Sequence, residues 1–237
     1  LLVEHRVIRT VRVTKEPLKD IFSEDLKLPE SLGIYLEDLL EEWEDVRQGA
    51  QVTVGTLMSQ YYSRNETLCV PVLEISDAEE KPQIGGFCVL FGLQPMGELS
   101  LREGEQLMLL QNNLKRYAFT MQDGTRFLLE QVQTEREITA AVDEAGNQYP
   151  VLTVTVRGNS TVSALSWDAD QEDQRQQGKQ ELADRLLTFL TTQQKEAGMD
   201  LANSFLLLAG QERSLWEQYR EESAQYLSDL KIRLFVE

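Results

Sequence analysis

The stretch GGFCVLFGLQPMGELSLREGEQLMLL, residues 85–110, decides how the middle of this chain folds. A glycine-rich segment that leads into a helix is typical of loops that bind phosphate. Such a loop needs closely spaced glycines at the strand-to-helix turn, where backbone N–H groups approach the anion. Gly85 and Gly86 instead precede an apolar run, and no lysine stands where a P-loop requires one. The segment is therefore not interpreted as a phosphate site.

The same stretch predicts a β-hairpin followed by a helix. The apolar run of residues 87–91 is typical of a buried strand, and Gly92 and Pro95 supply a turn before a short return strand. Ser100 stands three residues before Glu103, which is the spacing of a capping box at a helix N-terminus. Leucines at positions 107, 110 and 114 then give this helix one apolar face.

The composition is that of a folded, strongly acidic protein. The 237 residues are 41% hydrophobic, and 40 acidic against 23 basic side chains give a net charge of -17. Nucleic acid and anionic lipid surfaces would be repelled by this charge, so neither is predicted as a direct partner. The sequence has neither a run of about 20 apolar residues nor the start of a signal peptide. Because the chain begins at Leu1 without methionine, we expect that residues precede it.

Few side chains are available for catalysis or metal binding. Cys69 and Cys88 lie in apolar, strand-like runs that could be neighbours in one sheet, so a disulfide and two free buried cysteines are both open. Two cysteines and the single His5 fall short of a zinc site, and no CxxC or HxxxH spacing occurs. With one histidine and no GxSxG elbow, the sequence predicts neither an enzyme nor a cofactor.

The N-terminal part predicts a strand and two helices. Residues 3–13 alternate apolar and polar side chains as an edge or half-buried strand does, with His5 on the polar side. Pro29 opens a helix with an acidic outer face, and Thr53 can cap a second, short helix.

The C-terminal half predicts a long hairpin, two helices and a last strand. Alternating stretches at 126–142 and 149–165 flank a turn, and Gly158-Asn159 indicates a bulge or a bend in the second strand. The polar run 168–180 is predicted as a loop or linker. One helix then ends at Gly198, and Asp200 caps the next. The second helix carries an apolar stripe that includes a buried Trp216, and residues 226–236 form the last strand.

These elements predict an α+β, multi-domain protein with mixed and antiparallel β-sheets, each backed by helices. Residues 1–50 are interpreted as a remnant of an N-terminal domain. Residues 51–117 are predicted to form a middle α+β domain. Residues 118–237 are predicted to form a C-terminal antiparallel sheet with two packed helices.

From Thr53 to the end, and more loosely before it, the chain resembles the C subunit of spore nutrient-germinant receptors, the Ger(x)C lipoproteins. The positions that carry the resemblance are Gly86, Val89, Phe91, Gly97, Leu99, Glu103 and Leu107–Leu110, followed by Gln194-Lys195, Asp200 and Trp216. The chain departs from the family at two points. The family has a glycine shortly after the aspartate, where this chain has Asn203 or Ser204, and a proline two residues before the tryptophan, where this chain has Ser214.

The resemblance implies a non-enzymatic lipoprotein subunit that supports nutrient-triggered spore germination. It would be lipid-anchored on the outer face of the spore inner membrane, with integral-membrane A and B type receptor subunits as partners. The family-motif residues Gly97, Glu103, Gln194, Asp200 and Trp216 are expected to be structural.

A second reading is an extracytoplasmic solute-binding lipoprotein, which would need a cleft with convergent polar groups. Either protein must be held at its membrane. A chain at -17 with no apolar spanning run has no electrostatic or helical means of staying there, so we expect a lipobox cysteine upstream of Leu1.

Overall fold

The structure is a computed structural model in which the chain divides into two compact units, Leu1–Gly104 and Glu105–Glu237. The described residues are 13–15, 17–21, 28, 30–36, 38–39, 57–58, 67–76, 78, 80–91, 94–163 and 171–237. Each unit contains a four-stranded sheet with both parallel and antiparallel strand pairs. The α+β class and the helix-backed sheets predicted from the sequence are confirmed.

The first unit contains a sheet of order β1-β2-β3-β4, in which β1 pairs parallel to β2 and the other pairs are antiparallel. The hairpin predicted from residues 85–110 is confirmed as β3 and β4. The elements are β1 (Val13–Thr14), α1 (Leu18–Ile21), β2 (Thr67–Ile75), β3 (Pro82–Phe91), β4 (Gln94–Ser100) and the start of α2 (Leu101–Leu110).

The capping box predicted at the start of α2 is also confirmed. The Ser100 backbone N–H donates to Glu103 Oε2 at 2.8 Å, and the Glu103 backbone N–H donates to Ser100 Oγ at 3.3 Å. Gly104, one residue further on, lies directly against the ring of Phe87: a Cβ there would come within 2.0 Å of it. Local capping and this close approach together fix α2 on β3.

Cys69 and Cys88 are both free, so the disulfide alternative is wrong. They lie on neighbouring strands, but Cys69 is opposite Val89 and Cys88 is opposite Val70. Because successive side chains of a strand point to opposite faces, the two thiols lie on opposite faces of the sheet. Burial, with a smaller effect of Cys88, raises the pKa of the Cys69 thiol to about 12. Cys69 is therefore a protonated, weakly reactive thiol at neutral pH.

The second unit contains a sheet of order β5-β6-β7-β8 with helices inserted between its last two strands. The long hairpin predicted from the sequence is confirmed as β6 and β7. The elements are β5 (Arg116–Thr120), β6 (Arg126–Val142), β7 (Gln148–Ser163), α3 (Gln171–Glu196), α4 (Ser204–Gln211), α5 (Arg213–Tyr219), α6 (Ser223–Asp229) and β8 (Lys231–Val236).

The sheet of the second unit is mixed, whereas the sequence predicted an antiparallel sheet for residues 118–237. Strand β8 pairs parallel to β7, with Leu152 opposite Ile232 and Val154 opposite Leu234. Parallel neighbours need a long crossover, and the helices α3–α6 supply it. Alternation in residues 231–236 indicated a strand correctly, but it carries no information on direction.

The bulge lies on the other strand from the one predicted. Glu130 is opposite Asn159 and Gln133 is opposite Arg157, so two residues of β6 face Gly158 alone. Gln131 takes the left-handed backbone at φ 55°. A Cβ on Gly158 would come within 2.8 Å of the Glu130 carbonyl oxygen, so the glycine allows the strands to approach at the bulge.

Three boundaries of helices and strands differ from the sequence prediction. Helix α3 begins at Gln171, inside the run predicted as a loop, because glutamine, glutamate and arginine favour helices even without apolar neighbours. The second predicted helix is divided at Glu212, whose φ of -132° is not helical. The last strand begins at Lys231, not at Tyr226, which lies in α6.

Several N-terminal predictions fall largely outside the described residues. These include most of the strand at 3–13, His5 and the cap at Thr53. The helix predicted from Pro29 is seen at residues 32–36 and 38–39.

Candidate functional site

The family-motif residues lie in two places in the structure. Gly97 and Glu103 belong to the first unit, and Gln194, Asp200 and Trp216 belong to the second. Gly97 is opposite Val89 in the β3–β4 pair, next to a register irregularity, and Glu103 forms the capping box of α2. Gly97 therefore lies inside a strand pair, and Glu103 lies at a helix start.

Gln194 ties the end of α3 to the end of α6. Its side chain is buried, and its Nε2 donates to the backbone oxygen of Leu230 at 3.1 Å and also to that of Leu227. These carbonyls belong to the last turn of α6 and the residue after it, where no intrahelical donor remains. The Gln194 amide thus donates to carbonyl groups at the end of α6, immediately before β8 begins.

Asp200 holds the start of α4, but it is not the N-cap that the sequence predicted: the N-cap is Asn203, three residues later, which forms no side-chain capping hydrogen bond. Its carboxylate accepts from the backbone N–H groups of Ser204 at 2.9 Å and Phe205 at 2.8 Å, and from Ser204 Oγ at 2.7 Å. The residue is partly exposed, but the carboxylate faces these three donors. One side chain therefore supplies the acceptors for two backbone N–H groups at the N-terminus of α4.

An arginine on the sheet lies beside this carboxylate. Arg136 of β6 donates from Nη1 to the Ala202 backbone oxygen at 2.7 Å, and its charge acts on Asp200. Burial raises the pKa of the Asp200 carboxyl, while the three hydrogen bonds and Arg136 oppose that rise. Burial also lowers the pKa of Arg136. Sequence reasoning missed Arg136, since a single charged residue in an alternating strand resembles any surface position.

Four aromatic side chains pack beside the Asp200 cap. The ring centroids are 4.8 Å apart for Phe205 and Trp216, 5.0 Å for Phe205 and Tyr226, and 5.8 Å for Tyr219 and Tyr226. Tyr226 is fully buried, and burial raises the pKa of its hydroxyl. The hydroxyl of Tyr219 donates to Asp229 Oδ2 at 2.9 Å. The cluster joins α4, α5 and α6 into one layer.

Trp216 is half-buried, whereas the sequence predicted that its side chain is buried. The fully buried positions of α5 are Leu215 and Tyr219 instead. Four residues separate these two, so they share the inner face of the helix, and Trp216 lies at its rim. The break at Glu212 rotates α5 relative to α4, which is why one continuous stripe did not place Trp216 correctly.

Replacing Trp216 by alanine is expected to lower the free energy of unfolding by about 2 kcal/mol, less than a fully buried tryptophan would cost. The expected loss comes from the contact with Phe205, and Trp216→Phe should keep most of it. Urea denaturation followed by far-UV circular dichroism measures both variants. A loss below about 0.5 kcal/mol for alanine would contradict this packing and indicate an exposed residue.

The cavities near these residues are a very small enclosed one and an open groove. The enclosed cavity, lined in part by Gln194, Asp200 and Leu201, has about 10 Å³, which is room for about one water molecule. The groove, of about 430 Å³, lies at the bulge and is lined by Lys115, Arg116, Glu130, Gln131, Val132 and Gln133. The enclosed cavity is too small for a nutrient-sized ligand.

Two further properties limit the chemistry of the described residues. None of their histidine, cysteine and carboxylate side chains come together in a group of three or more that could hold a metal ion. In the described part of the chain, every helix is too short or too polar to span a bilayer. Among the family-motif residues, Glu103, Gln194 and Asp200 form hydrogen bonds with backbone groups at helix ends.

The fold class is α+β, with two mixed four-stranded sheets backed by helices. This fold is that of the GerBC protein, whose crystal structure is similar with a TM-score of 0.70 at 11% sequence identity. The similarity covers 94% of this chain and 65% of GerBC, so the chain spans about two thirds of the length of GerBC. No protein-family model and no curated protein matches the sequence.

Proposed function

We propose that this chain is a C subunit of a spore germinant receptor, a Ger(x)C lipoprotein that supports nutrient-triggered germination. The fold shared with GerBC over 94% of the chain is the observation that carries the proposal. The name GerBC carries the designation of the Ger(x)C family, and the sequence resembles that family independently through its ordered motif residues. The division into three domains at residues 50 and 117 belongs to this proposal.

The positions of the motif residues support a structural role for them. Glu103 caps α2, Gln194 closes α6 and Asp200 holds α4, each through hydrogen bonds to backbone groups. Backbone groups at helix ends have no intrahelical partner and cost free energy when buried without one. These contacts support the proposal that the motif residues serve the fold of the protein.

The proposed subunit is not an enzyme. Its sequence has a single histidine, and the acidic side chains near the motif residues accept hydrogen bonds from backbone, tyrosine and serine groups. The receptor would hold its nutrient in a membrane subunit, and this chain would act by binding that subunit and a second one.

The proposed location is the outer face of the spore inner membrane, reached through a lipid anchor. A net charge of -17 opposes direct binding to an anionic membrane surface. A diacylated cysteine provides two acyl chains at about 0.8 kcal/mol per buried CH₂, which is enough for stable attachment. The full gene product would carry a signal peptide and a lipobox cysteine before Leu1.

Genetic deletion with complementation tests the proposal. Spores that lack the gene should fail to germinate with the nutrients of one receptor and should still germinate with those of other receptors. The intact gene should restore the response, and a variant with alanine at the lipobox cysteine should restore less of it and leave the inner-membrane fraction. Normal germination of the deletion strain with every nutrient would overturn the proposal, as would a gene without an upstream lipobox.

Titration calorimetry separates the receptor subunit from the solute-binding alternative. If a membrane subunit holds the nutrient pocket, the isolated chain should give no binding heat with amino acids or sugars. Micromolar binding of any nutrient in the panel would favour the solute-binding lipoprotein instead.

A further inference from the structure

Strand β8 forms an open edge of the second unit's sheet. It is the last strand in the order β5-β6-β7-β8 and pairs only with β7 among the described residues. Its side chains alternate, with Lys231, Arg233 and Phe235 exposed and the residues between them half-buried. Half the surface of Phe235 is exposed, although it is a large apolar side chain.

The backbone hydrogen bonds show which residues of β8 face outward from the sheet. The Glu237 N–H donates to the Val156 oxygen at 2.9 Å, and the Gly158 N–H donates to the Glu237 oxygen at 3.3 Å. In a parallel pair every second residue bonds to the neighbouring strand through both its N–H and its C=O. The backbone groups of the intervening residues, Ile232, Leu234 and Val236, therefore point away from β7.

This edge has few of the features that usually prevent strand pairing. Proteins blunt an edge with proline, a bulge, a very short strand or charged side chains. Residues 231–236 have no proline, and their register with β7 is regular. Lys231 and Arg233 are charged, but both lie on the exposed face, where they could pair with side chains of another strand. The edge is therefore a template for a strand with complementary side chains.

The sequence of β8 is complementary to itself in the antiparallel direction. If Leu234 lies opposite Leu234 of a second copy, then Lys231 lies opposite Glu237, and Arg233 lies opposite Phe235. The first pair joins opposite charges, and the second places a guanidinium beside an aromatic ring. Ile232 and Val236 form an apolar pair, and all three outward-facing residues fall in hydrogen-bonded positions.

We propose that two copies of this chain associate through β8, with a two-fold axis at Leu234, to form a continuous eight-stranded sheet. The net charge of -17 opposes association of two copies, so the local pairing of Lys231 with Glu237 matters for register and specificity. Glu237 Oε2 accepts from Arg157 Nε at 2.8 Å in the same chain. In the proposed pair, Oε1 of Glu237 would accept from Lys231 of the second copy. No ion pair of Lys231 is found among the described residues.

Sedimentation equilibrium of the 237-residue chain tests the association. The interface is small, so the expected mass rises with concentration from 27.1 kDa toward twice that value. Leu234→Pro removes an outward N–H and leaves the bonds to β7 in place, and it should weaken the dimer at least about tenfold. Its circular dichroism and melting temperature establish that the variant is folded.

A charge exchange tests the register without altering the backbone. Lys231→Glu should weaken the dimer, and adding Glu237→Lys should restore it, because the double variant exchanges the two charges. Restoration is the result that a general loss of stability does not produce. A single-species mass of 27.1 kDa at all concentrations, or a dimer that Leu234→Pro leaves unchanged, overturns the proposal.

Cross-linking locates the two-fold axis. With cysteine in place of Leu234, the two copies would have Cα atoms about 5.5 Å apart, within the range of a disulfide. With cysteine in place of Ile232, the same atoms would be about 13 Å apart, because each faces position 236. Oxidation should therefore give a reducible covalent dimer for Leu234→Cys and none for Ile232→Cys. Equal cross-linking of the two variants counts against the two-fold pairing. Recovery of a different protein bound to β8, in place of a second copy of this chain, also counts against it.

Discussion

Replacing Gly178 by alanine is expected to destabilise the second unit by about 2 kcal/mol, although the same change in most helix interiors is stabilising. Gly178 lies in α3 above Phe127, whose side chain is fully buried in the sheet. A Cβ at this position would come within 2.1 Å of the ring. The ring has no free space to enter, so either the helix or the ring must move.

Gly210 is the matched control for this prediction. It also lies in a helix, α4, and a Cβ there would meet nothing within 4 Å. Gly210→Ala should raise the free energy of unfolding by up to about 1 kcal/mol through helix propensity. Urea denaturation of the two variants gives opposite signs if α3 packs on Phe127 as described. Equal, stabilising effects would show that the α3 contact is looser.

Replacing Asp200 by alanine is expected to cost about 3 kcal/mol, the largest loss for any single charged side chain discussed above. Two backbone N–H groups and the Ser204 hydroxyl would lose their acceptor, and Arg136 would lose its nearby negative charge. The start of α4 should also become the first segment to exchange its amide hydrogens.

Asp184 is the matched control, because it is an aspartate whose carboxylate does not bind the start of a helix. It is exposed on α3 and accepts a hydrogen bond from Gln180 Nε2 at 2.9 Å. Asp184→Ala should change the free energy of unfolding by less than about 0.5 kcal/mol. Similar losses for both aspartates would mean that the Asp200 carboxylate does not hold α4.

The same carboxyl group predicts a pH dependence. Burial raises the pKa of Asp200 above its ordinary 3.8, so the folded state binds this proton at a higher pH than the unfolded chain does. The stability that this group contributes is complete below pH 3.8 and is lost as the pH rises through the folded-state pKa. The loss caused by Asp200→Asn should therefore shrink as the pH rises, measured by urea denaturation between about pH 4 and pH 8. A loss that grows with pH would indicate a lowered pKa.

Features that depend on a few neighbouring residues were predictable from the sequence. The capping box of Ser100 and Glu103 is complete within four residues, so spacing alone defines it. The long hairpin needs only alternation on both sides of a turn rich in polar residues and glycine. Asp200 was predicted only in part: its side chain binds the first turn of α4, but the N-cap residue is Asn203.

Features that depend on distant contacts were not predictable. The direction of β8 follows from the crossover by α3–α6, which no local pattern in residues 231–236 reports. Arg136 reaches Asp200 from a strand far away in the sequence, and Tyr226 is buried in α6 by aromatic rings from α4 and α5. The cysteines lie on adjacent strands as expected, but only the register shows that they face apart.

The position of β8 has a consequence for how the protein is made on the ribosome. Its partner β7 is translated much earlier, and α3–α6 must all emerge before the two strands can meet. Until then the apolar residues that β8 and α3 cover stay accessible to water and to other nascent chains. Contacts between such distant segments slow folding and prolong the exposure of unpaired strand edges. The second unit can therefore complete its sheet only after β8 has been synthesised, long after both strands of the β6–β7 hairpin at its centre.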